Sequence, residues 1–498
     1  MENLDHVSES LHTPAPAAVP VPRVAPSAAQ RGGVDLTRGP IARTLLIFAL
    51  PTLASSVLQS LNASINSAWV GQLLGEHALS ASANANSLIF LLLGAVFGLG
   101  LAATVLVGQS LGARDIGQAK RTIGTCITFF GGVSVLLSSL GILFTPEILA
   151  AMGTPVEALP LAAAYLRVIL VAVPGMYLYT FMMMALRGAG DATTPFKFSL
   201  LSVALDIGLN PCLILGLGPL PRLGIAGAAC STLIAQWVSL FALIAHLYRR
   251  EHFLRLTRSE LHYLRPDPII LRALLLKGIP MGLQVIVVSS SMIVLMSFVN
   301  RFGSRTVAAY GACLQLWSYI QMPAFAVGGA VSAMAAQNVG ANLWPRVTRL
   351  AQVGVLYNVL LTGALVSLVT LASHRAFAIF LGDNHQAIAT ANHIHNVVSW
   401  SFILFGVSFV LSSVMRATGA VIPPLVIMFF ALWVVRITFA LTLASRWHAD
   451  AVWWSFPAGS VVSVTLSTAY YRSGRWRRAR LLEARAAPAS VPPAVADH

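Results

Sequence analysis

Twelve apolar stretches, each long enough to cross a bilayer as a helix, decide what this chain can fold into. They lie near 46–70, 82–107, 122–145, 160–185, 196–216, 224–247, 279–299, 307–335, 351–373, 394–415, 424–445 and 451–471. A crossing helix needs about 20 mostly apolar residues. Lipid satisfies no backbone polar group, so only helices or closed barrels span it. Barrel strands run about 10 residues with strict alternation, and these blocks are longer and evenly apolar. Composition agrees, with 57% hydrophobic and 10% charged residues, against about 25% charged in a soluble domain. The chain reads as an all-α polytopic membrane protein.

The net charge is +15, from 32 Lys and Arg against 17 Asp and Glu. On a soluble protein that balance would suggest nucleic acid. With twelve spans both termini share a side, and 25 basic residues fall on that side against 5 on the other. The positive-inside rule makes that side cytoplasmic, so the charge reads as a topology signal, the partner as the lipid bilayer, and no nucleic acid is expected. Residues 1–43 hold no apolar core and read as a disordered cytoplasmic tail rather than a signal peptide. Cys126, Cys212, Cys230 and Cys313 all lie inside spans without metal-like spacing, and read as buried small residues.

The chain repeats. Gly75, Gln109, Gly112 and Arg121 recur as Gly303, Gln337, Gly340 and Arg349, and Gly153, Arg187, Gly190 and Pro195 recur as Gly382, Arg416, Gly419 and Pro424. Six spans used twice enter from the same side, which gives two parallel repeats related by a pseudo-two-fold along the membrane normal. The expected division is a first six-helix lobe 44–250, a linker 251–271, a second lobe 272–475 and a basic tail 476–498. In such folds the binding site lies at the midplane and the lobes rock for alternating access.

Of all the acids, only Asp206 falls inside a span. A charged Asp at a helix centre costs about 2.5–3.5 kcal/mol on insertion scales, which marks it as a functional candidate. Asn210 lies one turn on, on the same face, and Pro211 removes a ladder N–H beside it. Gln59, Asn62 and Asn66 follow at spacings of three and four on the first span, one helical stripe. Asn84 and Asn86 open the second span, and Tyr177, Tyr179 and Met182–Met184 crowd the fourth. These polar groups can be interhelical glue or the wall of a first-half cavity, in which Tyr177 and Met183 are substrate candidates. In the second half, Arg436 lies mid-span within one residue of the counterpart of Asp206, as a structural cation or a substrate contact. Gln284, Gln315, Trp317, Tyr319 and Gln321 are weaker candidates there. His393 and His395 suit interfacial hydrogen bonding better than a metal.

No P-loop, GxSxG elbow or HExxH motif occurs, so neither an ATP-driven pump within this chain nor an enzyme is expected. The segments "DLTRGPIARTLLIFALP", "LNASINSAWVGQLLG", "GQSLGARD", "ALRGAGDATTP", "LGIAGAACSTLIAQ", "GIPMGLQ" and "WVVRITFA", in this order and spacing, resemble the multidrug and toxic compound extrusion (MATE) antiporters, most like the DinF-like branch. The resemblance covers roughly residues 36–475. It implies two six-helix lobes and export of amphiphilic, cationic or natural-product small molecules from a bacterial inner membrane by a monomeric antiporter without a bound cofactor. It also implies inward cation flow as the drive, and a single buried acid favours a proton over sodium. Family members usually carry Asp where this chain has Asn66. They commonly have Asn at the position of Asp206 and Asp at that of Asn210, so one acid is missing and the other is exchanged by one turn. The Glu of some branches early in span 7 is also missing, at Val287, Val288 and Ser289. Coupling then rests on Asp206, with Asn66 and Asn210 beside it. A lipid-linked intermediate flippase of the same superfamily is the alternative.

Overall fold

A computed structural model describes residues 34–151, 153–154, 157, 159–218, 221–382 and 384–479. The first lobe holds α1 (Ile41–Leu74), α2 (Glu76–Gly112), α3 (Ile116–Leu143), α4 (Leu159–Gly188), α5 (Thr193–Leu215) and α6 (Ile225–Arg249). The second holds α7 (Pro268–Val299), α8 (Ser304–Gly340), α9 (Trp344–Leu371), α10 in two pieces (His385–Val398 and Ser401–Thr418), α11 (Ile422–Trp447) and α12 (Ala449–Arg472). Among the described residues, eleven crossings are long and apolar enough by themselves. The other, α12, is less apolar but packs along α10 and α11 as part of the bundle. Observed helices overrun the expected apolar cores; α1, α2 and α8 have 34, 37 and 37 residues, since a helix that satisfies its own backbone can continue past the hydrocarbon edge.

The two lobes repeat one packing scheme. In the first, α2 packs on α4, α4 on α6, α6 on α5 and α5 on α1; in the second, α8 packs on α10, α10 on α12, α12 on α11 and α11 on α7. The lobes meet through α2 with α7, α1 with α8, and α2 with α8. The contact is closest where α2 and α8 end, at the face of the bundle where α1 begins and α12 ends. There Gly112 abuts the backbone of Gln337, and Gly340 abuts the backbone of Gln109, so closely that neither site has room for a Cβ. The two glutamines cross in the same symmetric way. Gln109 Nε2 donates to the Ala417 carbonyl (2.7 Å), and Gln337 Nε2 to the Gly188 carbonyl (3.0 Å). These residues are the repeat partners read from the sequence, so the internal repeat is a structural pseudo-symmetry whose axis passes between the lobes.

Both expected tails need correction at their inner ends. Residues 1–33 and 480–498 lie outside the described residues, but 34–40 form a fixed strap. Leu36 is fully buried, its N–H donates to Gln337 Oε1 (3.2 Å), and its carbonyl accepts from Asn338 Nδ2 (3.1 Å). Val34 N–H donates to the Gly190 carbonyl at 3.2 Å, so the strap touches both lobes. At the other end Trp476 is fully buried against Trp344 and Tyr471, and its carbonyl accepts from the Thr418 hydroxyl. The linker is also ordered. Its 3₁₀ turn Arg258–Leu264 docks on α3 through a Lys120–Glu260 ion pair at 2.8 Å, and the Leu264 carbonyl accepts from Thr128.

Candidate functional site

Helix α5 carries Asp206. Its start is fixed by Asp191, whose Oδ1 accepts from the N–H groups of Thr193 and Thr194 at 3.0 and 2.9 Å, which satisfies donors at the helix N-terminus. The helix runs unbroken through Pro211 and ends at Gly216, where φ is 72°. Asp206, 3% exposed, and Asn210, 1% exposed, face α1 and the interior of the first lobe.

The carboxylate is caged by neutral donors. Asn62 Nδ2 and Asn66 Nδ2 each donate to Oδ2 at 2.8 Å, and the Ser231 hydroxyl donates to Oδ1 at 2.7 Å. Thr232 adds a longer contact at 3.2 Å. Asn210 Nδ2 donates to Asn66 Oδ1 at 2.9 Å, so the amides of α1 and α5 form a chain ending on the acid. None of the ion pairs among the described residues involves Asp206. No cation neutralises this carboxylate among the described residues, whereas a salt-bridged acid would already have its charge paired.

Asn62, Asn66, Asp206, Asn210 and Thr232 line a cavity of about 460 Å³ inside the first lobe, with Gln59, Asn86, Tyr165, Tyr179, Ser199, Ser202 and Gln236 also on its wall. The Tyr165 hydroxyl donates to Asn86 Oδ1 at 3.2 Å. Three acceptor oxygens at the wall, Asn62 Oδ1, Asn210 Oδ1 and Gln236 Oε1, are buried without a donor. A carboxylate plus three unmet acceptors is a set of groups that suits a cation or an N–H donor.

Not every sequence candidate reaches this cavity. Gln59, Asn62, Asn66, Asp206 and Asn210 do. Tyr177 does not: it is 1% exposed, and its hydroxyl donates to the Leu92 carbonyl at 2.9 Å, tying α4 to α2. Met183 is 5% exposed within the apolar core. Helix α4 is buried around most of its circumference, so polarity or size on it does not mark a cavity face. Gln284 lies in the second lobe, where its Oε1 accepts from Arg416 Nη1 at 3.0 Å. Gln315 is exposed on α8, away from the Asp206 cavity. Arg436 is 3% exposed over the Phe456 ring. The side chain of Asn84 lies outside those described. His393 bonds Asp450 at 2.7 Å, whereas His395 is held between Trp317 and Thr370; the two rings serve separate contacts.

Two sets of residues escaped sequence reasoning. Ser231 and Thr232 on α6 supply half the carboxylate's donors, and Gln236 continues their stripe one turn on, a spacing that could have flagged them. Arg416, which the sequence marks only as the repeat partner of Arg187, is 4% exposed and bonds Gln284 and the Ser413 hydroxyl.

The MatE family model matches residues 51–212 and again 280–442, once per lobe. A Bacillus subtilis (strain 168) relative, "Probable multidrug resistance protein YoeA", is 37% identical over 432 residues, covering 86% of this chain and 93% of that protein. "Probable multidrug resistance protein YpnP" of the same organism is 30% identical over 451 residues, covering 90% and 98%. Among solved structures, the outward-facing conformation of a multidrug resistance MATE family transporter of the MOP superfamily superposes with a TM-score of 0.82 at 20% identity, covering 89% of this chain and 97% of that one. A MOP superfamily transporter from Pyrococcus furiosus superposes with a TM-score of 0.81 at 21% identity, covering 89% and 97%. With the family model matched in both lobes and relatives aligned along nearly their whole length, the chain belongs to the multidrug and toxic compound extrusion (MATE) family of membrane transporters.

Proposed function

We propose that the protein is a monomeric secondary efflux transporter, which exports amphiphilic, cationic or natural-product small molecules across the bacterial inner membrane by antiport against protons. Asp206 is the coupling carboxylate, and the protein needs no bound cofactor. The observation that carries this reading is the cage: a buried acid in a first-lobe cavity, held by Asn62, Asn66 and Ser231 and free of any basic partner among the described residues. The multidrug names of the relatives support the substrate class. The excess of basic residues on the face with both termini supports cytoplasmic termini. On that orientation the lobes are joined at the cytoplasmic end.

In this mechanism a protonated Asp206 has no net charge, so the first lobe closes around it at low cost. A cationic substrate then competes with the proton for the same carboxylate, and each cycle exchanges one for the other. Asn66, Asn62 and Asn210 orient the carboxylate, and Gln59 extends the polar wall toward the substrate. Proteoliposomes loaded with a fluorescent organic cation test the reading. Wild type should move the dye with an imposed pH gradient and not with a sodium gradient, and Asp206→Asn should lose at least tenfold of that rate. Full pH-driven transport by Asp206→Asn would overturn the assignment. A sodium-driven signal would replace the ion. Failure with every amphiphile, together with rescue of an envelope-synthesis mutant, would favour lipid-linked intermediate flipping.

A further inference from the structure

The second lobe holds a buried charge that proton antiport leaves unused. Arg436 sits in the π-helical stretch Phe430–Ile437 of α11 and is 3% exposed. π-Helical turns are uncommon and concentrate at functional sites. By the sequence repeat, Arg436 stands within one residue of the position that Asp206 takes in the first lobe. None of the ion pairs among the described residues involves it.

The guanidinium is only half satisfied. Its centre lies 3.4 Å from the Phe456 ring centroid, which covers its face. Nε and Nη2 are buried without a hydrogen-bond partner. Those two nitrogens form a single edge of the guanidinium, the side-on fork that takes both oxygens of a carboxylate. The ring face and this edge are independent, so the cation–π contact leaves the fork open. On α8, the Tyr310 hydroxyl is also buried without a partner. The Tyr310 ring stacks on Trp453 at 5.5 Å and meets Trp317 edge-on at 6.0 Å, and Trp317 packs on Phe456 at 5.5 Å. Three orphan polar atoms thus sit in one aromatic nest. A cation in an apolar span calls for a counter-charge, and the described protein supplies none.

We propose that the Nε–Nη2 edge of Arg436 and the Tyr310 hydroxyl form an anion site in the second lobe that takes a carboxylate, from a small free acid or from an acidic group of a transported molecule. The lobes then present opposite polarity at equivalent places, an anion in the first and a cation in the second. The site does not depend on the coupling role of Asp206.

Trp317 and Trp453 provide the readout. The full chain, purified in nanodiscs, is titrated with sodium acetate, sodium benzoate or sodium chloride at constant ionic strength while tryptophan fluorescence is followed. Wild type should give a saturable change with a carboxylate. Arg436→Lys, which keeps the charge and loses the fork, should weaken it at least tenfold. Tyr310→Phe should weaken it severalfold without lowering the melting temperature, and decides the matter where Arg436→Lys does not fold. Asp206→Asn should bind as wild type does. Saturation by acetate assigns a free anion, and saturation by benzoate alone assigns an acidic amphiphile. A response to chloride only, no saturable response, or unchanged binding in Tyr310→Phe overturns the site.

Discussion

Adding one methyl group at the lobe junction should open the face of the bundle where α1 begins and α12 ends. A Cβ on Gly112 would overlap the Gln337 carbonyl, and one on Gly340 would overlap that of Gln109. Both obstacles are backbone, so no rotamer change relieves them. Overpacking of this kind costs about 1–3 kcal/mol. The clash exists only while α2 and α8 are in contact, so the whole cost falls on the joined state. At about 1.4 kcal/mol per factor of ten, the separated state gains roughly 5- to 150-fold in population. Ser110, 5% exposed beside Gln109, serves as the probe when changed to Cys in a background lacking the four native cysteines. The maleimide labelling rate at that position should rise at least fivefold in Gly112→Ala and in Gly340→Ala. Gly132→Ala is the control, because nothing lies within 4 Å of its added Cβ. Labelling no faster than this control, in folded protein, would show that these glycines do not set the closure.

Three further outcomes follow from contacts elsewhere. A double-mutant cycle of Asn62→Ala with Asp206→Asn, read by chemical or thermal stability at pH 8, should give a coupling energy of about 1.5–3 kcal/mol, the range for a hydrogen bond to a charged group; a coupling near zero counts against the cage. Leu36→Ala should destabilise the protein by about 2–5 kcal/mol, as large-to-small changes at filled core sites do, whereas an unchanged melting temperature would show the strap to be passive. Burial opposes the charge on Glu260, but Lys120 at 2.8 Å and the N–H and hydroxyl of Thr257 outweigh it and hold the carboxyl at about 2. A folded value below the unfolded one gives stability that is full above about pH 4.3 and lost as pH falls toward 2. Hydrogen exchange over 258–264 should therefore be equal at pH 7 and pH 5 once corrected for intrinsic rate, and Lys120→Ala should accelerate it at pH 7.

Much of the architecture was legible because lipid imposes a coarse rule: blocks of about 20 apolar residues become helices. The repeat was legible because Gln109 and Gln337, with Gly112 and Gly340, perform one mirrored job where the lobes touch. Asp206 stood out because a lone acid in an apolar span is conspicuous, and Asn62 and Asn66 followed from helical spacing. Ser231 and Thr232 did not, because hydroxyls in spans commonly bond their own helix, as Ser231 also does to the Ala228 carbonyl. Tyr177 and Met183 were misplaced because α4 is buried on most sides and its sequence marks no special face. Arg416 sits at the end of a span, where charge counting assigns loops. The strap at Leu36 is short and extended, without a period to read.

In the proposed cycle Asp206 exchanges a proton for a cationic substrate. The direct measurement is proton release on substrate binding, by purified protein in weakly buffered detergent solution with a pH-sensitive dye. Adding a transported organic cation near neutral pH should release up to one proton per wild-type molecule and none from Asp206→Asn. Equal release from both proteins, or substrate binding by wild type with no release across the pH range of transport, would contradict it.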